Sequence, residues 1–234
     1  MLQFIGCGSA FNTALGNNGA FIKKDNELFM IDCGSSTFER LQRAKLLDDV
    51  DTVHVLMTHT HPDHIGSLGD LIFYGYYVMG EFAKLSIHVY APDGLNVREI
   101  LRMMAVNDEQ YKFQVLEQGT IMGMEFEAFK VPHVPELNSY AYLFEMEGKS
   151  VYYSGDCNDI PSAILDKFKS GEIDYIYQDT SKLDYPGNVH LSLGKLTDLI
   201  PQGLRSKVYC MHLDNQFDPE EAKRLGFHVV EAII

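Results

Sequence analysis

The densest cluster of chemically capable residues is a run of histidines and one aspartate that directly follows an apolar stretch. The run, Thr58-His59-Thr60-His61-Pro62-Asp63-His64, has the pattern H-x-H-x-D-H. The preceding Val53 to Met57 has the composition and length of a buried strand. Side chains on a strand alternate, so His59 and His61 would point to the same face. A tight turn after them would swing Asp63 and His64 inward.

This loop carries more ligands than one metal ion needs. Three imidazoles and one carboxylate lie within six residues, whereas a catalytic zinc ion keeps a position open for water. The alternative, a solvated histidine-rich turn, is disfavoured because a strand precedes the run and Ile65 to Leu68, an apolar stretch, follows it. The loop therefore predicts two metal ions that share its residues.

Three more residues of types that bind metals follow or end later predicted strands. His133 lies in the rigid, extended loop Pro132-His133-Val134-Pro135, where a surface histidine is the ordinary alternative. Asp156 follows the strand Val151 to Tyr153 and need not cap the next helix, because Asp159-Ile160-Pro161 serves that purpose. His212 ends an apolar strand. One such residue alone is weak evidence. The candidate metal ligands are His59, His61, Asp63, His64, His133, Asp156 and His212.

Length and charge restrict the classes of function. The 234 residues, 46% of them hydrophobic, suffice for one large core, so we expect a single domain over residues 1–234. Thirty-three acidic against 19 basic residues give a net charge of −14. A polyanionic partner binds by releasing counterions to Lys and Arg, and the chain has no basic run to offer one. A small phosphorylated substrate therefore fits this charge better than a large nucleic acid.

The sequence also predicts a compartment and a redox state. Because no apolar run approaches the roughly 20 residues that span a bilayer, and the start lacks the charges of a signal peptide, we expect a cytoplasmic protein without a membrane partner. The four cysteines are scattered and contain no C-x-x-C pair, so we expect reduced core thiols.

Strand and helix patterns alternate along the chain and predict an α/β fold with mixed sheets. Gly19 to Ile22 and Leu28 to Ile31 read as a hairpin, and an amphipathic helix with an N-cap in Ser35 to Thr37 follows through Leu47. The stretch Ile65 to Met79 is unusually aromatic. We expect a helix there that is buried beside the site over about half of its residues. The rest, with Tyr74, Tyr76 and Tyr77, would belong to a homodimer surface or to a wall against which a base stacks.

The H-x-H-x-D-H run resembles the signature of the metallo-β-lactamase fold hydrolases. The resemblance, from Gly6 to His212, implies an αββα sandwich of two mixed, mostly antiparallel sheets with outer helices. It implies that one ion is bound by His59, His61 and His133, the other by Asp63, His64 and His212, with Asp156 bridging. Asp32 then stands where a carboxylate orients a ligand histidine. Nitrogen and oxygen ligands suit two Zn²⁺ ions, with manganese or iron as alternatives.

Three further segments resemble the ribonuclease Z branch of that family: Phe4 to Ala10, Ile31 to Gly34 and Val189 to Ser192. His190 matches the branch histidine that serves at the phosphate and leaving group, and Asp179 falls where a glutamate orients it. The resemblance therefore implies Asp63, His190 and Asp179 as catalytic residues.

The chain departs from transfer-RNA processing members of the branch. Asp179 lies in Gln-Asp-Thr-Ser, His190 is followed by Leu191, and no long basic insertion could serve as a transfer-RNA arm. The chain is more similar to phage anti-Pycsar phosphodiesterases, which implies hydrolysis of 3′,5′-cyclic mononucleotides, cyclic CMP or UMP and cyclic AMP or GMP, to nucleoside monophosphates in the host cytoplasm. The alternatives are a ribonuclease Z-type endonuclease and a non-catalytic zinc module. Structural zinc sites use cysteine freely, and no cysteine joins this ligand set.

Overall fold

The computed structural model describes residues 1–79 and 86–234. Their contacts divide the chain into two units, Met1–Glu117 with Ala232–Ile234, and Gln118–Glu231. The single domain remains a prediction. No helix in the described residues is long and apolar enough to cross a membrane.

The first unit is built on a six-stranded sheet in the order β1-β2-β3-β4-β5-β6. Its strands are β1 Gln3–Gly6, β2 Gly19–Lys24, β3 Glu27–Ile31, β4 Thr52–Leu56, β5 Ser86–Ala91 and β6 Lys112–Val115. The predicted hairpin is confirmed, because β2 and β3 pair antiparallel from Ala20 opposite Ile31 to Lys24 opposite Glu27. Central strand β4 is apolar along most of its length because parallel neighbours lie on both sides of it.

Helices of the first unit follow the strands of the sheet. They are α1 Thr37–Arg43, α2 Pro62–Ile65, α3 Leu68–Tyr74 and α4 Val97–Met103, and a π-helical turn, Gly75–Met79, extends α3. Helix α1 is shorter than predicted because Lys45 adopts a left-handed φ of 54°. Leu46 N then donates to Leu41 O and Lys45 N donates to Gln42 O, which closes the helix with a Schellman motif.

The second unit is built on a seven-stranded sheet in the order β13-β12-β11-β10-β9-β8-β7. Its strands are β7 Gln118–Ile121, β8 Met124–Val131, β9 Ser139–Met146, β10 Lys149–Tyr153, β11 Tyr175–Asp179, β12 Val208–Met211 and β13 His228–Val229. Its helices are α5 Ser162–Ser170, α6 Leu193–Leu199 and α7 Pro219–Arg224. Strand β7 and helix α7 were not predicted from the sequence.

Both sheets are mixed, as expected, but the expectation of mostly antiparallel pairing is wrong. Among the described strands, β3 to β6 are mutually parallel, and so are β10 to β13. The reason is that a helix connects each successive pair in these runs, and crossover connections of that kind join parallel neighbours. The parallel runs matter for function because most of the candidate site residues follow their carboxyl ends. His133 differs, since it follows β8, which pairs antiparallel with both β7 and β9.

Candidate metal centre

The first unit brings four of the candidate ligands together at the end of β4. His61 is extended (φ −64°, ψ 151°) at the N-cap of α2, and Pro62 occupies the first helical position, so the chain turns sharply after it. His59 Nε2 lies 3.2 Å from His61 Nδ1. Asp63 Oδ2 lies 3.4 Å from His64 Nε2. Two such atoms can share one ion at the roughly 2.0–2.2 Å typical of zinc bonds to nitrogen and oxygen.

A fully buried carboxylate supports this loop from the end of β3. Asp32 accepts hydrogen bonds from Thr58 N and Thr58 Oγ1, both at 2.7 Å, and from His64 Nδ1 at 2.8 Å. Burial raises the pKa of Asp32, and the neighbouring His64 and the Thr58 hydrogen bonds oppose that rise. Gly34 permits the close approach, since a Cβ there would lie 1.9 Å from Asp63 O. Asp32 thus fills the predicted position behind a ligand histidine.

In the second unit, the remaining candidate ligands, His133 and His212, lie around Asp156. Asp156 follows β10 in the chain and is buried. Asp156 Oδ2 lies 3.3 Å from His212 Nε2 and 3.9 Å from His133 Nε2. His133 Nδ1 donates to Val189 O at 3.2 Å, which directs the other ring nitrogen toward Asp156. Burial lowers the pKa of His133, with Asp156 opposing the shift. One carboxylate therefore stands between two candidate histidine ligands.

Asp179, at the end of β11, contacts two histidines rather than the one that sequence reasoning assigned to it. Asp179 Oδ2 accepts from His190 Nδ1 at 2.6 Å and from Cys157 N at 3.0 Å. Asp179 Oδ1 lies 3.3 Å from His212 Nδ1. Burial alone would lower the pKa of His190, but the charge and hydrogen bond of Asp179 outweigh it, and the pKa is raised. The His190 side chain is 26% exposed, so part of its ring is accessible.

These clusters fit a divalent metal ion. The donors are imidazole nitrogens and carboxylate oxygens, the ligand types that zinc takes. Within the second unit, ligand atoms of Asp156, Asp179, His190 and His212 lie within 4.8 Å of one another. The assignment of the seven ligands to two ions remains a prediction.

The sequence did not indicate three of the contacts that orient the histidines. Thr58 Oγ1 lies 3.0 Å from His59 Nδ1, the Val189 carbonyl holds His133, and Asp179 reaches His212. The threonine directly before the first histidine was the one available signal. The predicted core position of the four cysteines is confirmed, because Cys7, Cys33, Cys157 and Cys210 are all buried.

Comparisons with solved structures define the class of protein. The chain superposes with a TM-score of 0.77 and 19% identity on a diphosphatase of the PhnP family, covering 98% of this chain and 94% of that one. It superposes with a TM-score of 0.74 and 18% identity on the metallo-β-lactamase fold protein YhfI from Bacillus subtilis, covering 99% and 95%. It superposes with a TM-score of 0.68 and 17% identity on human tRNase Z, short form, covering 99% of this chain and 95% of that one. The chain has the metallo-β-lactamase fold.

Sequence comparison identifies the family within that fold. The model of the family "Anti-Pycsar protein Apyc1" matches residues 1–232, and the chain belongs to this family. It is 27% identical to the anti-Pycsar protein Apyc1 of Paenibacillus harenae, over 98% of this chain and 96% of that protein. It is also 27% identical to that of Bacillus phage BSP38, over 93% and 90%. Family and fold together support a metal-dependent hydrolase.

Proposed function

We propose that the protein is a metal-dependent phosphodiesterase that hydrolyses 3′,5′-cyclic mononucleotides to nucleoside monophosphates and so counteracts cyclic-nucleotide antiphage signalling. The observation that carries this proposal is the Asp179–His190 pair, 2.6 Å apart, beside the metal-ligand types Asp156 and His212. Membership of the anti-Pycsar family supports the substrate class. Phage relatives support the host cytoplasm as the place of action.

The proposed metal centre uses all seven candidate ligands and two ions, with zinc as the first choice and manganese as the alternative. When bound, such ions stabilise charge on the phosphate and lower the pKa of an attacking water. One ion would be held by His59, His61 and His133, and the other by Asp63, His64 and His212. Asp156 would bridge them. Support comes from the donor pairs within each unit, 3.2 Å for His59 with His61 and 3.3 Å for Asp156 with His212.

His190 is the proposed general acid. Water oxygen adds to phosphorus, the bond from phosphorus to one ribose oxygen breaks, and His190 gives that oxygen its Nε2 proton. Asp179 accepts from Nδ1, which directs Nε2 outward and favours the protonated imidazole. Asp63, which would also be a ligand, would accept the proton that the attacking water loses.

Transfer-RNA 3′ processing is the second candidate, because the fold is also that of human tRNase Z. The net charge of −14 and the lack of a basic insertion weigh against it. A non-catalytic zinc module is a third candidate. The Asp179–His190 pair weighs against a structural role, since a structural zinc site does not need a general acid.

The test is incubation of the metal-loaded protein with a panel of 3′,5′-cyclic nucleotides beside a precursor transfer RNA. We expect rapid turnover of cyclic nucleotides with weak salt dependence, because few phosphates are contacted. Chelator treatment should abolish hydrolysis, and elemental analysis should return close to two metal equivalents per chain. Efficient 3′ cleavage of transfer RNA without action on cyclic nucleotides would reverse the ranking.

A further inference from the structure

Two histidines of the first unit are connected to the same carboxylate, one directly and one through a hydroxyl group. His64 Nδ1 donates to Asp32 Oδ2 at 2.8 Å. Thr58 Oγ1 donates to the same oxygen at 2.7 Å and lies 3.0 Å from His59 Nδ1. Asp32, Thr58 and His59 are fully buried and His64 is 1% exposed, so water does not compete for these contacts.

Hydrogen-bond valence sets the direction of each contact. An ionised carboxylate only accepts, so the single hydroxyl hydrogen of Thr58 is committed to Asp32. Thr58 Oγ1 can therefore only accept from His59, which places the His59 proton on Nδ1. The His64 proton is likewise on Nδ1. In both rings Nε2 then carries the lone pair. His59 Nε2 lies 3.2 Å from His61 Nδ1, and His64 Nε2 lies 3.4 Å from Asp63 Oδ2.

The backbone holds this arrangement from both sides. Thr58 N donates to Asp32 Oδ1 at 2.7 Å, so the carboxylate plane is fixed independently of the hydroxyl contact. Asp32 N donates to Leu56 O at 3.0 Å, and Cys33 N donates to His64 O at 2.7 Å. Asp32 itself adopts a left-handed φ of 65°, a conformation that non-glycine residues adopt at a cost.

We infer that Asp32 and Thr58 form a relay that positions two metal ligands at once, His64 directly and His59 through the Thr58 hydroxyl. This inference rests on the proposed metal centre, in which His59 and His64 serve different ions. Asp32 is then a positioning residue common to both ions, whereas the Thr58 hydroxyl acts on the ion of His59 alone. Groups behind a ligand histidine typically contribute about 10–100-fold to metal affinity.

Three variants test the relay: Thr58→Val, Thr58→Ser and Asp32→Asn. Zinc affinity is measured on the full chain by competition with a chromophoric chelator, without substrate, and thermal unfolding of the metal-free protein reports folding. Thr58→Val keeps the branched shape and removes the hydroxyl, and we expect one of two zinc ions to bind about 10–100-fold more weakly. Thr58→Ser keeps the hydroxyl and should bind both ions within about threefold of wild type, a change smaller than the lower end of that range. Asp32→Asn should weaken both.

The outcomes separate the relay from its alternatives. Equal zinc affinities in Thr58→Val and wild type would overturn the relay, and so would a loss of the same size in Thr58→Ser, which would indicate packing. If Asp32→Asn does not fold, the zinc affinities of Thr58→Val and Thr58→Ser are sufficient to test the relay. A wild-type protein that binds two zinc ions but ignores cyclic nucleotides would overturn the proposed substrate and leave this inference intact.

Discussion

At the scale of single residues, the side-chain and backbone groups around each histidine decide which nitrogen is available for chemistry. In four of the histidines, Nδ1 contacts such a group. Thr58 contacts Nδ1 of His59, and Asp32 contacts Nδ1 of His64. The Val189 carbonyl contacts Nδ1 of His133, and Asp179 contacts Nδ1 of His190. These contacts thereby select the outward nitrogen of each ring. His61 differs, because its Nδ1 faces His59 Nε2. Selection of this kind lowers the cost of assembling a metal centre.

His190 provides the sharpest residue-scale prediction. His190→Ala should retain both metal ions and the fold while losing rate by about 10²–10⁴-fold for a ribose leaving group, because general acid catalysis typically contributes that much. The loss should be much smaller for an activated aryl phosphodiester, whose leaving group needs no proton. Steady-state kinetics on both substrates and elemental analysis measure these effects.

The matched control is His228→Ala, which removes an exposed histidine of β13 that stacks on Tyr209. It should leave both rates and the metal content unchanged. Equal losses on both substrates in His190→Ala would instead assign His190 to phosphate binding. A lost metal would make it a ligand, since a ring nitrogen of His190 lies within 4.8 Å of ligand atoms of Asp156 and His212.

At the scale of elements, apolar runs predicted most strands correctly because a buried strand is marked by its composition. The run Val53 to Met57 corresponds to β4, and Val151 to Tyr153 corresponds to the end of β10. Two elements had weaker signals. Strand β7, with only Ile121 buried, carries no apolar run, and α7 is a short polar helix with only Ala222 buried. Neighbouring strands in the sheets could not be ordered from composition either.

One consequence of strand order is a row of polar side chains across three parallel strands. His54 is paired with His88, and His88 with Lys112. The same group includes Tyr90, whose hydroxyl lies 2.9 Å from His54 Nδ1, and Glu27, 3.3 Å from His54 Nε2. Ser86 Oγ lies 2.9 Å from His88 Nε2. Burial, with the charges of Lys112 and His54, lowers the pKa of His88 to about 4.

We therefore expect His88 to titrate near pH 4, well below an ordinary histidine. The unfolded chain protonates near pH 6.5, so His88 contributes stability that is complete above that pH and is lost as pH falls from there through about 4. Histidine NMR signals followed against pH give the midpoint. Lys112→Met should raise it, since one opposing charge is removed, and the matched Lys130→Met in the other sheet should not. An ordinary midpoint in wild type would contradict the expected effect of burial and of Lys112 on His88.

At the scale of the whole molecule, the sequence predicted the kinds of site residue better than their partners. The histidines and aspartates were recognisable because their types and order are unusual. Their supports were not, because Thr58 and Val189 are ordinary residues whose roles depend on the fold. The acidic net charge of −14 also belongs to this scale, and it supports the proposal of a small substrate rather than a nucleic acid.

Association of two chains is the remaining whole-molecule proposal. We propose a homodimer that uses the aromatic turn after α3. Tyr77 and Val78 are 66% and 64% exposed, and Tyr76 is 36% exposed. Gln110 Nε2 donates to Tyr77 Oη at 2.9 Å, which fixes the ring in place. A rigid, exposed group of apolar side chains is typical of protein interfaces.

Val78→Asp tests this surface, because a carboxylate buried in an interface without a partner is unfavourable. We expect wild type to scatter light at micromolar concentration as twice the 26.5 kDa chain mass, and Val78→Asp to shift toward the monomer. Val115→Asp is the matched control, since Val115 is 55% exposed on strand β6 and should leave the dimer intact. A wild-type monomer with full activity would rule the dimer out. A dimer unaffected by Val78→Asp would place the interface elsewhere on the chain.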